Sequence, residues 1–157
     1  MVEKKVIDQL FMILFGVFGA MLFGVSANSF NVMKNTCTAP IIYNGMVTVM
    51  ILGACLLTVA LAYFFCNWKG GQCYSGEKAV GVSEFYLGIA GVFSLIMSIL
   101  LAVMGSKLKD YPDCVASGVN LRVNIWFMFT LCFALFIACS TATGYIITKR
   151  QELVLAS

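Results

Sequence analysis

The sequence predicts an all-α integral membrane protein, with four antiparallel transmembrane helices packed in a compact bundle. Three observations predict it. The first is composition: 61% of the 157 residues are hydrophobic and 11% are charged. A soluble domain is about 45–50% apolar and about 25% charged. A chain this short has too much surface to hide the surplus from water, whereas a bilayer accepts it. The second is four long segments without Asp, Glu, Lys or Arg: Leu10–Ala27, Ile41–Cys66, Phe85–Gly105 and Ile125–Thr148. They hold 18, 26, 21 and 24 residues, and about 20 helical residues cross roughly 30 Å of hydrocarbon. The third is the lack of the apolar–polar alternation that a membrane barrel strand would carry.

Each span carries a row of small residues at helical spacing. In lipid no hydrophobic force draws helices together, so packing and interhelical hydrogen bonds must hold them, and small residues let backbones approach. The first span, with the stretch "GVFGAMLFG", aligns Gly16, Ala20 and Gly24. The second begins just after Pro40, a residue suited to a first helical turn, and aligns Ala54, Thr58 and Ala62. The third aligns Ala90, Ser94, Ser98 and Ala102, with Leu101 expected to face lipid. The fourth aligns Thr130, Ala134, Ala138 and Ala142. These rows are the expected helix-packing residues. The hydroxyls of Ser94, Ser98 and Thr130 are expected to bond their own preceding turn or a facing helix.

Between the spans lie residues 28–40, 67–84 and 106–124, and each end adds fewer than ten residues. No such segment can bury a core of its own, so residues 1–157 read as one transmembrane domain with no soluble domain. The start, "MVEKKVIDQLF", shows no obvious small-residue cleavage site and runs into a full-length span. It reads as a retained first helix.

Basic residues set the orientation. Lys4, Lys5, Lys69, Lys78, Lys149 and Arg150 fall on one side; Lys34, Lys107, Lys109 and Arg122 fall on the other. Six against four predicts both termini in the cytoplasm. Tyr43 and Trp126 mark one interface, and Tyr63, Trp68, Tyr86 and Tyr145 mark the other, as amphipathic rings do. With a net charge of +3, the basic ends read as topology signals and headgroup contacts rather than a nucleic-acid site.

Of seven cysteines, Cys55, Cys132 and Cys139 lie in mid-span and read as small apolar residues. Cys37 and Cys114 share one side of the membrane, and Cys66 and Cys73 share the other. Either pair is placed to form a disulfide, but one compartment does not oxidise both; Cys37 and Cys114 are the expected pair if their side is oxidising. Cys37 precedes Cys55 by 18 residues and Cys114 precedes Cys132 by 18, a spacing that duplication of a helical hairpin or coincidence would equally produce.

The chemistry-bearing patterns are missing. The chain has no His, the commonest general base and metal ligand, and no Cys-x-x-Cys. "NWKGGQCYSGEK" does not match a phosphate loop, and Asp110 and Asp113 in "KLKDYPDC" read as solvated turn residues. The span cores hold no ionisable group, and such groups mark proton and ion paths. The expectation is a protein without enzymatic activity, catalytic site, metal or other cofactor, small-molecule substrate or nucleic-acid partner. Its partners are the lipid bilayer and the other subunits of a large assembly. Two alternatives remain: an accessory subunit of a membrane redox complex, and a small channel or solute facilitator lined by the Ser and Thr residues of spans three and four.

The four spans, internal ends and loop cysteines resemble the broad tetraspan class. The third loop lacks the Cys-Cys-Gly signature of tetraspanins. The first loop is short and without Trp, unlike that of claudins. The chain also lacks the Cys-x-x-Cys of the quinone-linked disulfide oxidases. In its short loops and small ends it is similar to the four-span minor capsid and inner-membrane proteins of large icosahedral DNA viruses. That resemblance implies a structural role: stapling a capsid to an internal viral membrane.

Overall fold

The computed structural model describes residues 2–68, 79–115 and 120–155. Four long helices account for most of them: α1 (Val2–Met33), α2 (Pro40–Trp68), α3 (Ala79–Lys107) and α5 (Leu121–Leu155). A 3-10 turn (Leu108–Asp110) and the one-turn helix α4 (Pro112–Val115) lie between α3 and α5. No strand occurs among the described residues. Each long helix contains a stretch apolar and long enough to cross a membrane: Gln9–Met33, Pro40–Ala62, Leu87–Asp110 and Leu121–Thr148. The protein is therefore a multi-pass, four-helix membrane protein.

The helices form a ring. α1 packs most extensively on α2, and α3 on α5; thinner seams join α2 to α3 and α5 to α1. Neighbours run antiparallel: Phe30 near the end of α1 meets Tyr43 near the start of α2, with ring centroids 4.9 Å apart. One contiguous core fills the ring, including Phe15, Leu22, Met46, Leu101, Met128 and Leu135. The outer surface is just as apolar: Ile99 and Val92 stand 58% and 59% exposed. In water that surface would drive aggregation; in a bilayer it is the lipid contact.

Several expected boundaries move, among them the end of the third span, which runs on from Gly105 to Asp110. The first span runs six residues beyond Ala27, through Asn28, Ser29 and Asn31, and α1 ends only at Met33. Ser29 is buried there, while Asn28 and Asn31 face outward. The last span starts at Leu121 rather than Ile125. Asn124, expected in the loop, lies in the first turn of α5 and meets Ser29. Polar residues at a helix end read as loop when nothing shows that they have partners.

Candidate functional site

The seam between α1 and α2 is built on glycine. A methyl on Gly19 would stand 2.7 Å from the Leu57 nitrogen and 2.8 Å from the Gly53 carbonyl oxygen. A methyl on Gly53 would stand 2.6 Å from the Phe23 nitrogen and 2.9 Å from the Gly19 carbonyl oxygen. The two backbones touch here, the close approach that small residues permit in lipid. Gly16 and Gly91 are looser versions, 3.3 Å from the Cβ atoms of Ala60 and Cys139 respectively when given a methyl.

This placement corrects several of the expected packing residues. Gly16 does face α2, but Ala20 and Gly24 point outward, and Gly24 has nothing within 4 Å. Thr58, Ala62, Thr130 and Ala134 are also exposed. Ala54, Ala90, Ala102, Ala138 and Ala142 are half-buried, and Ser94 and Ser98 are buried. Leu101, expected to face lipid, is fully buried. The true contact row of α1 is Phe15, Gly19, Leu22, Ser26, Ser29 and Met33. On a helix apolar all round, a row of small residues one step away from the real contact face looks equally suitable. The sequence carries no separate signal for the row through Gly19, which meets Leu56, Leu57 and Gly53 across the seam.

Several of the hydroxyls stay local. Ser98 donates to the Ser94 carbonyl at 2.7 Å, Thr58 to Ala54 at 2.7 Å and Thr130 to Trp126 at 2.9 Å, which satisfies them within their own helices. The exception joins neighbouring helices at the α1–α5 seam: the Asn124 side-chain nitrogen donates to the Ser29 hydroxyl at 3.0 Å. Ser94 and Ser98 face the core while Thr130 faces outward, so these three hydroxyls do not share a surface.

At the same end, a disulfide joins Cys37 to Cys114, with Cα atoms 4.3 Å apart and a sequence separation of 77. It ties the α1–α2 connection to α4. Cys114 is fully buried. Around it Met33, Ala39, Ile42, Met104, Leu108, Leu121 and Ile125 are buried as well. A methyl on Gly45 would strike the Met104 sulfur, so α2 and α3 are also in close contact here. Three ties between the hairpins (the disulfide, the Ser29–Asn124 bond and the Gly45–Met104 contact) thus gather at one end. Above them Lys34, Lys109 and Asp113 are exposed, and Lys107 pairs with Asp110 at 3.6 Å.

Cys132 and Cys139 are buried in α5, and Cys55 is exposed on α2. The Cys66–Cys73 pairing lies outside what the structure describes, as do the side chains of Tyr63, Trp68 and Tyr86. Among the described residues no group of three His, Cys, Asp or Glu side chains is placed to hold a metal ion. A concavity of about 420 Å³ opens on the outer face of α5, lined by Arg122, Val123, Trp126, Phe127 and Thr130. No protein-family model, curated protein or solved structure matches this chain.

Proposed function

We propose that this protein works by contact, as a non-enzymatic membrane anchor that staples a large assembly to a bilayer, and that the assembly is a capsid over an internal viral membrane. The observation that carries the reading is the tied end. A disulfide, a hydrogen bond in the α1–α5 seam and a dense apolar floor hold residues 34–39 and 108–114 around Cys37 and Cys114. A surface held this way meets a partner with little further loss of conformational freedom, and pre-organisation of that kind favours association. The viral setting rests on the resemblance in layout alone. Disulfides persist in oxidising compartments, which supports the tied end facing away from the cytoplasm and the termini facing it, the same direction as the basic-residue count.

The test is to locate the chain and then disturb its face. Mass spectrometry of purified virions against purified organelle membranes should find it in the particle. Lys109→Glu and Asp113→Lys, both exposed positions, should reduce incorporation while leaving the isolated bundle folded. Normal incorporation of the double variant, or solute flux through sealed vesicles holding only this protein, would defeat the proposal.

A further inference from the structure

The concavity on α5 is graded from polar to apolar along the helix. Arg122 lies in the first turn of the helix, one residue into the membrane-crossing stretch that starts at Leu121. Trp126, Phe127 and Thr130 follow one and two turns deeper, about 12 Å along the axis at 1.5 Å per residue. Trp126 forms one wall, packed against α3 on one side and exposed on the other. Its six-membered ring atoms lie 3.3 and 3.4 Å from where a Gly105 methyl would stand, and its indole meets Phe129 edge-on at 5.4 Å. The Thr130 hydroxyl is already donated to the Trp126 carbonyl. The lower part therefore offers only apolar contact.

Arg122 is exposed and has no carboxylate partner among the described residues. Its guanidinium is a planar fork suited to phosphate oxygens, and it sits at the positive end of a 35-residue helix, which also favours an anion. Phosphate above and hydrocarbon below, at the depth where a span meets the headgroups, is the chemistry of a phospholipid.

We infer that this shallow, open concavity is a phospholipid site, in which Arg122 holds the phosphate and Val123, Trp126 and Phe127 pack the upper part of an acyl chain. The lipid then acts as a washer at the tied end, filling the outer face of α5 beside its contact with α3.

Native mass spectrometry of the full chain released from vesicles of phosphatidylglycerol and phosphatidylcholine tests this. One phospholipid should be retained per chain, and Arg122→Gln should lower retention by about tenfold, as loss of a charge-assisted hydrogen bond does. Phe127→Ala, at an exposed position, should lower retention without changing the fold read by circular dichroism. Lys109→Gln, a cation outside the cavity, should leave retention unchanged. Inorganic phosphate alone should neither bind nor displace the lipid. Equal retention by Arg122→Gln would overturn the assignment. So would an equal loss with Lys109→Gln, which would show diffuse attraction, or displacement by inorganic phosphate, which would show an anion site with no lipid chain.

Discussion

Two glycines let the backbones of α1 and α2 meet. Gly19 and Gly53 face each other with backbone on both sides, so nothing flexible can yield to a methyl. Gly19→Ala and Gly53→Ala should each destabilise the bundle by about 1–3 kcal/mol, the usual cost of overpacking, read as a lower melting temperature in detergent. Gly24→Ala, with open space around it, should melt like the parent, as should Ala20→Leu on the lipid face. Gly45→Ala should fall between, because what it meets is the flexible Met104 side chain. Equal melting of the Gly19 and Gly24 variants would mean that the α1–α2 seam is not where the structure puts it.

Individual helices contribute length and phase. α1 stays helical through Asn28–Asn31, where Ser29 finds Asn124 of the neighbouring α5 and the two asparagines reach outward. A hydrogen bond between membrane helices contributes roughly 0.6 kcal/mol, and at most about 1.7. A double-mutant cycle of Ser29→Ala and Asn124→Ala should return a coupling in that range; a coupling of zero would show that the α1–α5 seam stands without it. The hairpins also resemble each other. Gly16, Gly19 and Ser26 of α1 recur at identical spacing as Gly88, Gly91 and Ser98 of α3. The shift differs from the 77 residues that separate the bonded cysteines, so no single offset relates the halves.

The whole molecule is two tight hairpins closed at one end. The Cys37–Cys114 bond is the covalent part of that closure, and disulfides typically contribute about 2–4 kcal/mol. Cys37→Ser should lower the melting temperature of oxidised protein and make it insensitive to reductant. Peptide mapping without reduction should recover the Cys37–Cys114 linkage from native material; recovery of a Cys66–Cys73 linkage instead would reverse both the pairing and the orientation proposed above. Protease protection of tags at each end should place both termini on one side of the membrane, the cytoplasmic one. Tags on opposite sides would contradict an even number of crossings.

What the sequence by itself determined was the solvent and the count. Apolar runs of spanning length, and charges confined to their ends, specify four helices in a bilayer whatever their packing. The cysteine positions also placed Cys37 and Cys114 on one face as the expected pair, conditional on an oxidising compartment on that side. Only the tertiary structure decided which side of each helix points inward. In a soluble protein the polar face reveals the buried one. Here lipid and core are equally apolar, so the rows through Gly16 and through Gly19 read alike until α2 lies against one of them. The partners of Ser29 and Asn124 were hidden for a related reason: they stand 95 residues apart, and only closure of the ring brings a polar helix end to the group that satisfies it.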